Sequence, residues 1–135
     1  MITLVELLKR KAGTTQSEFR DYYEKSHVML ARKYLGHLYH DYRRDYVNKV
    51  ITVTAVGHEI EESSDGPYDC ITSIVFENQE AVDEFFRIVS TPGIKEQFEA
   101  DEKMFLDGKD LVLYFCEPVR TWTSADIKAR AASSP

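Results

Sequence analysis

Two short runs, Cys70–Phe76 (CITSIVF) and Leu111–Cys116 (LVLYFC), carry apolar side chains at both odd and even positions. Successive side chains of a strand leave opposite faces of the sheet, so a strand of this kind has two faces to hide from water. Two helical patterns lie between the runs. Asn78 is placed to cap the first, whose inner positions are Val82, Phe85, Phe86 and Val89, and Thr91-Pro92-Gly93 breaks it. The second runs from Ile94 to about Asp107, with Ile94, Phe98, Asp101 and Phe105 on one side, and Gly108 stops it. Helices between strands cover one face of a sheet. A single copy of the chain has nothing left for the other face, so burial alone predicts a homodimer that pairs two sheets.

The first half of the chain supplies the rest of the sheet. Ile2–Lys9 reads as a strand from its Val and Leu content. Lys11–Thr15 is a turn in which Thr14 or Thr15 can cap the next helix, with Glu18 placed for a capping box. From Gln16 to about Tyr34, ring and apolar positions recur as Phe19, Tyr23, His27, Leu30 and Tyr34, at spacings of 4, 4, 3 and 4. That is one stripe of an α-helix, and Gly36 ends it. Leu38–Val47 (LYHDYRRDYV) reads as a strand rich in tyrosine. Val50–Val56 has strand propensity, and Glu59–Pro67 is a polar loop turning at Asp65-Gly66-Pro67. The order is strand, helix, strand, strand, helix pair, strand: an α+β chain.

At 135 residues the chain suits one domain, because two separate cores would be too small. Its charge sum, 17 − 23 = −6, argues against nucleic acid or an anionic membrane surface as the main partner. No apolar run approaches the roughly 18 residues that span a bilayer, and Ile2–Leu8 precedes Lys9, Arg10 and Lys11 where a signal peptide would follow its charges. The expectation is a cytoplasmic protein. Cys70 and Cys116 sit in apolar runs and make neither a disulfide framework nor a metal cluster.

Phe19-Arg20-Asp21-Tyr22-Tyr23-Glu24, then His27 and Leu30, followed by Tyr42-Arg43-Arg44-Asp45-Tyr46-Val47, resembles the EthD family. Asp69-Cys70-Ile71-Thr72 with Val75-Phe76, and Asp101-Glu102 with Phe105-Leu106-Asp107, are similar to the family's later segments. The resemblance covers residues 1–117 and leaves 118–135 as a tail with a small-residue end. It implies a ferredoxin-like βαββαβ unit that pairs sheet to sheet as a dimeric α+β barrel. Where many members carry a glutamate in the third strand, this chain has Ser73, so no carboxylate role carries over to that position. The stretch 48–69 is longer than the resemblance leads one to expect.

His27 is the leading candidate for chemistry. It lies on the inward helical stripe, and an imidazole facing a cavity can exchange protons near neutral pH. It also coincides with the family's helix histidine; the competing reading is a buried histidine that holds helix to sheet. Tyr23 shares the stripe and can donate to a substrate oxygen, or simply be core. Tyr22 lies off the stripe and reaches only the cavity edge. In the second strand Leu38, His40, Tyr42, Arg44 and Tyr46 share one face, so Tyr42 and Tyr46 can line a site for an aromatic ligand. Arg43 and Arg44 point opposite ways, and at most one serves the cavity; the other reading is a salt bridge. Glu6, a carboxylate among apolar neighbours, is costly unless paired. It is either a second acid/base near His27, standing in for the carboxylate missing at Ser73, or the partner of an arginine. His37 and His40 would face opposite ways in a strand, so no metal site is expected.

Together these readings predict a small cofactor-independent enzyme. It would act on a hydrophobic aromatic or polyketide-like molecule by proton-transfer chemistry: cyclisation, dehydration or decarboxylation. The alternatives are a cofactor-free or haem-associated oxygenase, in which Trp122 and the tyrosines would matter, and a non-catalytic binding protein for an aromatic metabolite.

Overall fold

The computed structural model of the chain describes residues 1–133; the last two residues of the expected tail, 134–135, lie outside it. Four strands form one antiparallel sheet: β1 (Ile2–Leu8), β2 (Tyr39–Tyr46), β5 (Cys70–Phe76) and β6 (Leu113–Cys116), in the order β2-β5-β1-β6. Between β1 and β2 runs a single helical arm: α1 (Gln16–Tyr22), a π turn (Tyr23–His27) and α2 (Val28–Leu35). Between β5 and β6 lie α3 (Gln79–Val89) and α4 (Ile94–Phe105). This is the βαββαβ order expected. Among the described residues no helix is long and apolar enough to cross a membrane.

Local chemistry sets the helix starts. Thr15, not Thr14, caps α1: its side chain accepts from the Glu18 amide while Glu18 accepts from the Thr15 amide, the two halves of a capping box. Asn78 caps α3 by accepting from the Ala81 amide. Gly93 begins α4 at φ +92°, a left-handed conformation that side chains with a Cβ resist.

Alternation along the strands fixes the two sheet faces. Leu4, Glu6 and Leu8 of β1, with Cys70, Thr72, Ile74 and Phe76 of β5, are buried under the helices. Two clusters fill that layer. One joins Leu35, Phe76, Val82, Phe85 and Phe98; the other joins Leu8, Phe19, Tyr23, Cys70 and Phe105. Burying each large apolar side chain stabilises the fold by about 1.5–3 kcal/mol. Asp69 ties the sheet edge together, accepting from the Arg10 amide at 2.8 Å and donating its own amide to the Leu8 carbonyl at 2.7 Å.

The structure corrects the expected elements in four places. The helical stripe shifts by one residue after His27: Ala31 and Leu35 are buried, while Leu30 and Tyr34 are only partly so. The π turn adds one residue to the helical path, which advances the inward phase beyond it by one position. In β2 the register breaks between Tyr39 and Asp41, so Tyr39 joins the Tyr42 face and His40 is left exposed. The polar stretch expected as a loop contains β4 (Ile60–Ser63), which pairs with β3 (Val50–Val53) in a separate hairpin. Every residue of β4 is exposed, so no burial pattern marks it. Finally, the tail holds α5 (Ser124–Ser133), which buries no residue.

Candidate active site

Between the sheet and the helices lies a cavity of about 280 Å³. Ala31 and Leu35 of α2, Ile74 of β5, Phe85 of α3 and Phe98 of α4 form its apolar wall. The polar side chains on it are few: Glu6 from β1, His27, Tyr39 and Tyr42 from β2, and Lys95, Glu99 and Glu102 from α4. Lys95 and Glu99 are exposed on α4 and lie 3.8 Å apart, one helical turn from each other.

His27 closes the π turn, and its Nδ1 lies 2.7 Å from Oδ2 of Asp101 on α4. Asp101 is buried and accepts twice more on Oδ1, from Ser26 at 2.7 Å and Tyr22 at 2.9 Å. Burial by itself pushes the Asp101 carboxyl up, but the hydrogen bonds from His27, Ser26 and Tyr22 outweigh it and hold the carboxyl below its ordinary range. An ionised Asp101 fixes the histidine proton on Nδ1 and leaves Nε2 free to accept. The ring itself is held by Tyr23 edge-on at 5.3 Å and by Phe105 at 5.1 Å, centroid to centroid.

Glu6 is only 8% exposed, yet it makes no hydrogen bond or ion pair among the described residues. Burial pushes its carboxyl up to about 7, against the pull of His27 and with a further push from Glu102. Burial raises Glu102 as well, against the pull of His27 and with further pushes from Asp101 and Glu99. Among the described residues neither carboxyl has a hydrogen-bond or ion-pair partner, and both line the cavity.

Several residues singled out in the sequence lie elsewhere, each for a physical reason. Tyr23 is fully buried and does not line the cavity; its hydroxyl meets Thr72 Oγ1 at 2.6 Å and accepts from Tyr42 at 3.4 Å. Burial raises the Tyr23 phenol, which makes it a poor proton donor. Tyr22 is committed to Asp101, and Tyr46 to Glu24. Arg43 lies on the outer sheet face and pairs with Asp45 at 3.0 Å. Arg44 lies on the inner face, pairs with Glu24 at 2.7 Å and covers the Tyr42 ring at 4.6 Å. Neither arginine reaches the cavity. Ser73 pairs with Val5 and Glu6 with Thr72, so Ser73 and Glu6 face opposite sides of the sheet and Glu6 does not take the place of a Ser73 carboxylate. Trp122 is exposed in the tail. Among the described residues no group of three or more His, Cys, Asp or Glu is placed to hold a metal ion.

The EthD-domain family model matches residues 11–109, about three quarters of the chain. The chain belongs to the EthD family. The matched span includes His27 and Asp101 but not Glu6. Among solved structures, an ethyl tert-butyl ether D (EthD) family protein from Bacillus halodurans is 18% identical, with a TM-score of 0.53, and the alignment covers 88% of this chain and 100% of that one. An Arabidopsis thaliana protein is 15% identical, with a TM-score of 0.57, covering 91% of this chain and 100% of that one. At these identities the likeness is one of fold. No curated protein matches the chain.

Asp101 is the partner of His27 that sequence reasoning missed, although an acid on the otherwise apolar stripe Ile94, Phe98, Phe105 was the signal. A carboxylate kept on an inward stripe needs a partner, and His27 is that partner.

Proposed function

We propose that this EthD-family chain is an enzyme that moves a proton on a hydrophobic, ring-bearing small molecule held in the cavity between helices and sheet. The observation that carries this reading is His27, held by Asp101 and facing a cavity whose walls are mostly apolar. His27 Nε2 takes a proton from a carbon next to a substrate carbonyl. The electron pair moves onto the carbonyl oxygen, and Asp101 stabilises the imidazolium. Tyr42 lines the cavity, and its hydroxyl, which donates to Tyr23 at 3.4 Å, would have to turn from Tyr23 to donate to the oxygen that becomes negative. Glu6 can hold or release a proton near neutral pH and serves as the second acid/base, returning a proton to the product. Cyclisation and dehydration both use these steps; decarboxylation, which begins with loss of carbon dioxide from a carboxylate, does not.

The reading includes a second copy of the chain. The sheet face away from the helices carries Val5, Leu7, Ile71, Val75 and Tyr114, and among the described residues no helix covers it. A partner sheet laid on that face would hide it.

Deuterium exchange at the α-carbon of β-tetralone, a neutral bicyclic ketone, tests the chemistry without knowledge of the natural substrate. The protein is expected to accelerate exchange above the buffer rate and to saturate with ketone. Exchange equal to buffer at saturating ketone would refute the proton-transfer role.

A further inference from the structure

The polar end of the cavity says what kind of molecule it accepts. Glu6 and Glu102 both line it, and neither has a protein partner among the described residues. Glu6 is nine-tenths buried, so its unmet acceptor capacity points into the cavity and not to bulk water. Among the described residues the cations near the two carboxyls are engaged elsewhere. Lys95 is exposed and opposes Glu99, His27 is held by Asp101, and Arg44 is engaged by Glu24 away from the lining. A ligand carboxylate or phosphate at this end would meet like charge on carboxyls that are themselves largely withdrawn from water, which is unfavourable. A hydroxyl on a ring, by contrast, gives Glu6 the donor it lacks, while the ring rests on the apolar wall.

We infer that the ligand of this cavity is a neutral ring compound that presents a hydroxyl donor to Glu6, and that ring compounds carrying a carboxylate at the same place are rejected. This rests on the proposed reading of the same cavity as the substrate site, and it adds the substrate's charge and the atom that anchors it. Glu6 acts here as a specificity residue. Its acceptor oxygen chooses the hydroxyl, and Glu102 beside it reinforces the exclusion of anions.

The test is equilibrium binding, read by calorimetry at about pH 8, where Glu6 is largely ionised and a phenol is still neutral. The probes are naphthol, its methyl ether, which keeps the ring and loses the donor, and naphthoate. The expected order is naphthol tighter than the ether by at least about tenfold, the usual worth of a hydrogen bond to a charged group. Naphthoate should be weaker than both. Glu6→Leu removes a buried charge and should remain folded, as a melting curve will show. It should bring naphthol down to the level of the ether, leave the ether unchanged or improved, and narrow the gap to naphthoate. Naphthoate binding as tightly as naphthol, or a naphthol preference that survives in folded Glu6→Leu, would overturn the inference. So would the absence of saturable naphthol binding at millimolar concentration. Because no turnover is measured, a protein that binds in the predicted order yet fails to exchange tetralone protons keeps this inference and loses only the catalytic one.

Discussion

His27 and Asp101 are 74 positions apart in the chain, yet Nδ1 of the first lies 2.7 Å from Oδ2 of the second. The π turn and α4 bring them together, and His27 lines the cavity while Asp101 holds it from behind. A histidine held in this way offers a single nitrogen to whatever enters.

That arrangement predicts the tautomer. In imidazole nitrogen NMR near pH 8, neutral His27 should carry its proton on Nδ1, because ionised Asp101 only accepts there. Asp101→Asn can donate to Nδ1 and should move the population toward the Nε2-protonated form, with a loss of exchange activity of about tenfold or more. An unchanged tautomer in the variant would show that Asp101 positions nothing. Tyr22 and Ser26 would then be its only meaningful partners.

Glu6 should make stability fall as pH rises. Its carboxyl titrates at about 7 in the fold, from an ordinary 4.5. Below 4.5 both folded and unfolded chains hold the proton and Glu6 adds no pH dependence. Between the two values the fold keeps a proton that the unfolded chain has lost, so raising pH weakens the fold, and above about 7 the whole penalty remains. The charged groups facing it are His27 and Glu102. Glu6→Gln removes the penalty. The variant should gain on the order of 3 kcal/mol over the wild type between acid and mildly alkaline pH. Urea melts at both ends of the range measure the gain, and a constant difference would contradict the burial of Glu6.

Phe105 is the hinge of the ring cluster behind the site. It is 1% exposed and packs against Phe19, Tyr22, Tyr23 and His27. Phe105→Ala should cost about 3–5 kcal/mol in a urea melt, as deleting a buried ring usually does. A loss below about 1 kcal/mol would mean that the cluster is loosely packed.

The outer sheet face predicts assembly. Light scattering at micromolar protein should give twice the monomer mass. Val75→Asp, on that face, should yield aggregate or unfolded chain, because the exposed apolar surface remains. A soluble monomer of the wild type would refute sheet pairing.

The fold was legible because its signals are short-range. CITSIVF is a short strand-forming run that is apolar on both faces, Asn78 and Thr15 are strong caps, and the two helices of the second crossover carry clear stripes. What escaped notice depends on irregularity. A π turn and a β-bulge each insert one residue, and neither leaves a hydrophobic mark, so Ala31 and Leu35 replace Leu30 and Tyr34, and Tyr39 replaces His40. The site was legible for single residues and not for pairs. His27 and Glu6 stand out as polar groups on apolar stripes, and both line the cavity. Tyr23 occupies the same stripe as His27 but turns its hydroxyl to Thr72, a contact across 49 positions that no local pattern encodes.

The most direct test of the account is proton exchange in two variants of His27, with stability measured alongside. Asp101 keeps its bonds from Tyr22 and Ser26 when the imidazole is removed, so no buried carboxylate is left without a partner. His27→Ala and His27→Gln should therefore melt close to the wild type. Both should lose tetralone exchange by about 100-fold to 10,000-fold, or down to the buffer rate if that is reached first, since one positioned base is worth that much. Glutamine keeps a hydrogen-bond donor but cannot carry the proton, so it should rescue nothing. Exchange at the wild-type rate in folded His27→Ala, or a large loss of stability that His27→Gln restores together with full exchange, would show that His27 braces the fold and is not the base.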